Sequence, residues 1–338
     1  MEARERMTGP TRTAPASTNA EVPGRPRPSP IRVWYRAIRV FSFTASITPI
    51  LVGSALALVD GDLDSWGAIA LVVAMLLASM AVHAGCNLGN DYYDFRRGID
   101  AHIGAHDDPT HIGPAGVIQD RSLTPTQVFR GMIVAFAIGT IIGLGIVWAT
   151  GWPIFVLALA CLALAFLYTG GPKPLGYIAL GEITVFVTMG LAMIMGSYYV
   201  LSDDVSWRAV GVALPLGLLV TAILHGNNLA DIDSDRAAGK ITIANSVGRS
   251  AGNLEYIALV YGAWVALIGL VLTNTDLWPT LLAFGALSAG LKAVRLYVSE
   301  TAPPVLRRGV RLSAGVHLRF GLLMTAGLVI AAAIGEWT

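Results

Sequence analysis

Long apolar stretches alternate with short polar ones along this chain, and nine of the apolar stretches approach the roughly 20 residues that a helix needs to cross a bilayer. They fall near residues 40–59, 66–86, 127–149, 152–168, 178–200, 209–226, 254–273, 277–298 and 314–334. The pattern predicts an all-α, polytopic membrane protein with nine transmembrane helices. Residues 1–30 break it. They are rich in Pro, Thr, Ser and Arg with almost no large apolar side chain, and read as a disordered tail ahead of one membrane domain over 31–338. No apolar run of 7–15 residues precedes residue 31, so no signal peptide is expected.

Charge fixes the orientation. Only 13% of residues are charged, against about 25% in a soluble domain, which sets aside the two soluble domains that length alone would permit. The net charge of +1 hides a strong asymmetry: of 23 Lys and Arg, all but Arg208 lie on the N-terminal side or its membrane edge. The opposite loops carry Asp60, Asp62, Asp64, Asp203, Asp204 and Asp276, with Glu336 in the C-terminal tail. A positive cytoplasmic side therefore places the N-terminus in the cytoplasm of a bacterial cell and the C-terminus outside, as an odd helix count requires. Membrane lipid is the expected surrounding partner, and no nucleic-acid partner is expected. Thirty-seven glycines suit close helix packing in lipid. Cys86 and Cys161 form neither a disulfide framework nor a zinc spacing.

Two polar clusters stand out against this background. The first runs from Asn87 through Asn90, Asp91 and Asp94 to Arg96, Arg97 and Asp100; the second holds Asn227, Asn228, Asp231, Asp233, Asp235 and Arg236. An Asp at mid-bilayer costs about 2.5–3.5 kcal/mol on insertion scales, so such groups are kept where they have partners. Both clusters follow an even-numbered helix and face the cytoplasm. If each helix continues through its cluster, Asn87, Asp91 and Asp94 share one face, with Asn90 beside them, and Asn227, Asp231 and Asp235 repeat at four-residue steps. Two such faces across one cavity suit a hard divalent cation that also carries phosphate oxygens. Arg96, Arg97, Lys173, Arg236 and Lys240 are candidate phosphate-binding cations on the same side. The plainer reading, helix caps and solvated loop charges, fits one cluster better than two matched ones. An EF-hand is a poor fit to Asp231-x-Asp233-x-Asp235, because position 6 is Arg236 and position 12 is Thr242.

Asn90-Asp91-x-x-Asp94 and Asp231-x-x-x-Asp235 resemble the paired motifs of the UbiA-type intramembrane prenyltransferases, and the likeness covers residues 35 to 335. Within that family the chain looks most like the members that prenylate 1,4-dihydroxy-2-naphthoate in menaquinone synthesis. The segments that carry this likeness are Tyr168 to Gly176, Leu180-Gly181-Glu182 and Asn227 to Lys240, with Pro49, Gly53 and the stretch from Gly113 to Pro125. The resemblance implies tilted helices around a central cavity under a cytoplasmic cap. It implies Mg²⁺ held by Asp91, Asp94, Asp231 and Asp235, with Asn90 and Asn227 beside the diphosphate of an allylic polyprenyl donor. The aromatic acceptor would take the place of the diphosphate, and a naphthoate acceptor would lose CO₂ to give demethylmenaquinone. Asn87, Tyr168 and Glu182 are candidate acceptor residues.

The chain departs from the family pattern in three places. Gly98 stands where many members carry a third Asp, with Asp100 two residues on. Tyr168 and Lys173 are five residues apart instead of four. The loop with His102, His106 and His111 is unusually His-rich. His83 and His225 lie on helices near the clusters, where an interhelical hydrogen bond is the expected role and contact with the acceptor the alternative. Tyr92 and Tyr93 offer ring faces to an arene or a cation. Other acceptors, such as a hydroxybenzoate, homogentisate, a porphyrin or a glyceryl phosphate, stay open. A cation-coupled transporter would place its acids near the midplane in broken helices. A non-catalytic scaffold would not need two such motifs.

Overall fold

A computed structural model describes residues 29–61, 66–98 and 116–335. The tail up to residue 28, Asp62, Asp64, Asp100, the His-rich stretch 102–111, Gly113 and Glu336 lie outside the described residues. Among the described residues, nine helices are long and apolar enough to cross a membrane. They are α1 (Val40–Val59), α2 (Trp66–Arg97), α3 (Pro125–Thr150), α4 (Trp152–Thr169), α5 (Gly181–Ser202), α6 (Trp207–Ala230), α7 (Arg249–Thr273), α8 (Thr275–Ser299) and α9 (Pro303–Gly335). The all-α class and the nine spans agree with the hydropathy pattern.

Local chemistry explains where the ends differ from it. α2 continues eleven residues past the apolar stretch, through Arg97, because nothing from Asn87 onward breaks a helix until Gly98 takes φ +71°. Gly85 and Gly89 lie inside it and serve packing: a Cβ at either would meet Phe136 or Met132 of α3 at 3.1 Å. α6 does not continue through the second cluster, contrary to the four-residue repeat. It stops at Ala230, turns at Asp231, and restarts as a short helix over Ile232–Ala237. α9 starts eleven residues before its apolar stretch, with Pro303 and Pro304 in its first turn, where Pro costs no hydrogen bond. Arg307, Arg308 and Arg311 hide that start from a hydropathy reading.

Two spans depart from regular α geometry. α5 widens to a π-turn over Phe186–Ala192, and its Gly190 meets Gly217 of α6 so closely that a Cβ would lie 2.6 Å from the Gly217 Cα. α8 opens as a tighter 3₁₀ coil over Thr275–Ala286, with Gly327 of α9 seated against the Pro279–Thr280 backbone.

The main hydrophobic core joins α1 to α5–α9 through Leu56, Leu216, Leu267, Tyr256, Tyr297 and Phe320. A smaller core of Val33, Ala37, Leu88, Val117, Leu123 and Val128 fixes a short helix, Pro30–Ala37, and the turn before α3 onto α2 and α3. The helix ends alternate as the chain crosses. At the end opposite the two clusters, Arg208 pairs with Asp276 at 2.5 Å and Asp60 at 3.3 Å, and the Tyr198 hydroxyl donates to Asp60 at 2.8 Å. The outlying cation is thus neutralised by the acids of its own side. Trp66, Trp148, Trp152 and Trp207 are strongly exposed at that same end, as expected of an interfacial aromatic belt.

The Gly190–Gly217 crossing yields a stability prediction. Gly190→Ala should cost about 1–3 kcal/mol, the usual range for overpacking. Thermal unfolding in detergent should show a lower midpoint than Gly145→Ala, because no atom lies within 4 Å of a Cβ at Gly145.

Candidate active site

A cavity of about 520 Å³ runs between α2–α4 on one side and α1, α5 and α6 on the other, touched by α9 at Val310 and Ala314. One end is polar: Arg39, Asn87, Asn90, Asp94, Tyr168, Tyr177, Asn227, Asn228, Asp231, Asp235 and Lys240 line it. The remainder is largely apolar and reaches Ile50, Met75, Ile146, Ile154 and Val200. On α2, Asp94 and Met75 are nineteen residues apart, about 28 Å at the α-helical rise. Counted from the end of the apolar stretch at residue 86, the cavity reaches about 16 Å along α2, roughly half of a bilayer's hydrocarbon core.

Each motif carboxylate has its own partner. Asn87, Asn90 and Asp94 face the cavity from consecutive turns of α2, and the Asn90 amide donates to Asp94 Oδ2 at 3.0 Å. The Tyr177 hydroxyl donates to the other Asp94 oxygen. Asp91 is buried off the lining, where the Arg39 guanidinium pairs with it and reaches Asn90 Oδ1 at 3.3 Å. Asp231 accepts from Arg307 Nε at 3.1 Å and Nη2 at 2.8 Å. Asp235 lies 3.2 Å from Lys240 Nζ through Oδ2, an oxygen that is buried without a hydrogen bond of good geometry. A two-loop clasp supports this end: Ile178 and Ile241 form an isolated parallel bridge, with Ala179 N donating to Ile241 O at 2.9 Å and Ile241 N to Tyr177 O at 3.1 Å.

Burial and the neighbouring charges together set the ionisation of the loop residues. Burial pushes the Asp235 carboxyl up to about 6; Lys240 pulls it down and Asp231 pushes it up. Burial pulls Lys240 down, yet Asp235, Tyr168, Asp94 and Asp231 together hold it above its ordinary value. Lys240 therefore stays charged, while Asp235 takes up a proton more readily than a free carboxyl.

Several expected residues point elsewhere. Arg97 leaves the cavity to donate to the carbonyls of Thr169 at 2.6 Å and Gly171 at 3.0 Å, closing the C-terminus of α4. Arg96 stacks on Tyr92, Arg236 donates to Asn245 O at 2.8 Å, and Lys173 is exposed on the turn after α4. None of these four lines the cavity. Tyr92 and Tyr93 pack on one another and on Phe129 and Phe166. Glu182 also lies off the lining, buried between Asn228 Nδ2 at 2.8 Å and His225 Nδ1 at 3.3 Å. His225 Nε2 lies 2.8 Å from Gly252 O, so this His is an interhelical link, the expected role.

Arg39, Tyr177 and Arg307 were not legible as site residues. Arg39 is carried inward by a left-handed backbone, φ 52°, between the Pro30–Ala37 helix and α1. No short-range pattern announces that bend. Arg307 sits in a basic run, Arg307-Arg308-x-x-Arg311, that carries no motif of its own. Tyr177 was detectable only as the residue after the Gly-Gly-Pro-Lys-Pro-Leu-Gly turn.

The donor set suits a divalent cation shared with phosphate. Among the described residues, no three acidic, His or Cys side chains already stand together as a chelate. Asp94, Asp231 and Asp235 instead ring one end of the cavity with four Asn amides, leaving coordination positions to phosphate oxygens and water, as Mg²⁺ prefers.

An intramembrane cavity with such a head defines a class, and the comparisons agree. The chain belongs to the UbiA prenyltransferase family, which matches residues 46–308. It is 31% identical to a 1,4-dihydroxy-2-naphthoate octaprenyltransferase of Mycobacterium tuberculosis, covering 89% of this chain and 96% of that one. The Bacillus subtilis protein of the same name is 27% identical, with 89% and 93% covered. UbiA prenyltransferase domain-containing protein 1 of Gallus gallus is 32% identical, with 88% and 84% covered. The fold matches a UbiA homologue from Archaeoglobus fulgidus, solved bound to GPP and Mg²⁺, at a TM-score of 0.61. Identity there is 13%, over 87% of this chain and 99% of that one.

The Arg307–Asp231 pair gives a second prediction. Arg307→Gln strands a largely buried carboxylate, and should lower stability in metal-free buffer by about 1–3 kcal/mol. The exposed neighbour Arg308 is the control: Arg308→Gln should leave the thermal midpoint unchanged.

Proposed function

We propose that this protein transfers a polyprenyl group from an allylic diphosphate to 1,4-dihydroxy-2-naphthoate, releasing CO₂ and giving the prenylated naphthohydroquinone, which a separate two-electron oxidation turns into demethylmenaquinone. The observation that carries the reading is the cavity itself: both Asn/Asp motifs at one end of a space that extends about 28 Å along α2, its far end apolar. A diphosphate with a long hydrocarbon tail has that shape and polarity. The naphthoate relatives, alike over nearly the whole chain, support the choice of acceptor.

Asp94, Asp231 and Asp235 would hold Mg²⁺, with Asn90 and Asn227 against the diphosphate; Asp91, off the lining, would join them by exchanging its Arg39 partner for the metal. Bound there, Mg²⁺ offsets the charge that develops as diphosphate departs. Lys240 and Arg39 line the same end and supply fixed positive charge to the phosphate oxygens. Arg96, Arg97, Lys173 and Arg236 take no part, because their side chains are off the lining. Asn87 and Tyr168 flank the acceptor, and Glu182 supports it only through Asn228. The apolar walls keep water from the allylic cation. The loops joined at Ile178 and Ile241 form a cytoplasmic cap over the head of the cavity.

We place the protein in the bacterial cell membrane as one domain that begins with the Pro30–Ala37 helix. The active site faces the cytoplasm and the C-terminus lies outside, which the one-sided basic residues support. A transporter reading loses ground because both acidic motifs share one end of the cavity.

Purified protein given Mg²⁺, an allylic polyprenyl diphosphate and 1,4-dihydroxy-2-naphthoate should form a prenylated naphthohydroquinone, detectable by mass spectrometry as such or as its air-oxidised quinone. Omitting Mg²⁺ should abolish it, and Asp91→Asn or Asp231→Asn should lower turnover on the order of 10²–10³-fold. Product that survives Mg²⁺ removal, or full activity in both variants, would sink the proposal. A third prediction follows from Asp235, which must lose its proton to ligate. Mg²⁺ affinity should hold above about pH 6 and fall as pH drops through it, read by calorimetry at constant ionic strength.

A further inference from the structure

Below the polar head, the cavity wall formed by α1 and α2 carries a second polar group: Ser42, Ser46 and His83. His83 lies seven residues before Asn90 on α2, about 10 Å deeper along the axis, which leaves room for a bicyclic arene between the diphosphate site and the imidazole. Four other hydroxyls on the lining are committed to their own helices. Ser79, Thr184, Thr188 and Ser197 each donate to a carbonyl of the preceding turn, at 2.7–3.0 Å. The facing wall, from α4 and α5, offers Leu157, Leu162, Val185 and Met189, which suit the prenyl tail.

The hydrogen bonds fix which nitrogen is basic. Ser42 Oγ donates to the Arg39 carbonyl at 2.8 Å and accepts from Asn87 Nδ2 at 3.1 Å. The Asn87 amide is oriented by its second bond, to the Ile38 carbonyl at 3.0 Å. With its one hydrogen committed, Ser42 can only accept from His83 Nε2, 3.1 Å away, so Nε2 carries the proton. His83 Nδ1 is then the acceptor, and Ser46 Oγ–H donates to it at 2.7 Å. Ser46 is part of the cavity wall, and with its hydrogen given to an imidazole whose far side is anchored, its oxygen keeps lone pairs that can accept a proton.

We propose that Ser46 and His83 form a relay that takes the hydroxyl proton of a hydroxylated aromatic acceptor as its ring is prenylated. The inference rests on the reading of this cavity as a prenyl-transfer site. As the allylic C–O bond breaks, its electron pair leaves with diphosphate, and a ring π pair forms the new C–C bond. The acceptor O–H proton passes to Ser46 Oγ while the Ser46 proton passes to His83 Nδ1, and the O–H pair becomes the ring carbonyl. When CO₂ leaves a carboxylated ring carbon, its bonding pair restores the arene and the relay returns the proton to oxygen. No net proton is consumed, so His83 ends as it began.

The test uses the full-length protein with Mg²⁺, a prenyl diphosphate, and ring-substituted 1-hydroxy-2-naphthoates of graded hydroxyl acidity. For the least acidic acceptors, His83→Asn and Ser46→Ala should each lower kcat by about 10²-fold, while Mg²⁺-dependent binding of the donor stays within about twofold of wild type. The deficit should shrink along the series and vanish for acceptors already ionised in solution, because these bring no proton to remove. An equal deficit across the series, or joint loss of donor binding, assigns the pair a structural role and overturns the relay. Wild-type protein that binds the donor yet prenylates no hydroxylated arene removes the acceptor reading, and this inference with it. Unaltered turnover in both variants, with wild type active, overturns the relay alone.

Discussion

Placing Asp91, Asp94, Asp231 and Asp235 at one end of an apolar cavity exposes the bundle to desolvation costs that must be offset residue by residue. The partners come from four places in the chain. Arg39 precedes α1, Tyr177 follows α4, Lys240 lies between α6 and α7, and Arg307 opens α9. Every one is long-range or set in a loop, so the helix order around the cavity and the conformations of the connecting loops depend on the same electrostatic requirement. Breaking any pair would leave a charge in poorly solvated surroundings, which costs more than the pair itself contributes.

Close packing then has to build the apolar channel without filling it. The Gly190–Gly217 crossing brings α5 and α6 together, and the π-turn in α5 lies beside it. Thr188, Met189 and Ala192 from that turn line the channel. Small residues draw the helices close on one side while the irregular turn aims side chains into space on the other. The same division holds between α2 and α3, where Gly85 and Gly89 admit Phe136 and Met132 and the opposite face of α2 is left to the cavity.

The sequence exposed what depends on composition and local period. Nine spans, the one-sided positive charge and the two acidic motifs were all legible, because hydropathy and helical spacing are short-range signals. The break at Asp231 was not, since a four-residue repeat fits both an unbroken helix and a helix interrupted for one residue. The fate of the nearby cations was also hidden. Arg97 and Arg236 are as close to the motifs in sequence as Lys240, but loop geometry sends two of them to backbone carbonyls and one to Asp235. Arg39 and Arg307 lie 52 and 76 residues from their carboxylates, a separation no local pattern encodes.

The bridge between Ile178 and Ile241 joins the loop bearing Tyr177 to the loop bearing Lys240, and these two side chains attend different acidic motifs. Neither loop can change length without shifting the partner of the other motif. In a lineage of such proteins, insertions and deletions in the two loops should therefore occur together, and a chimera that exchanges one loop should need the other from the same donor. The two motifs, far apart in the chain, would then vary as a single unit.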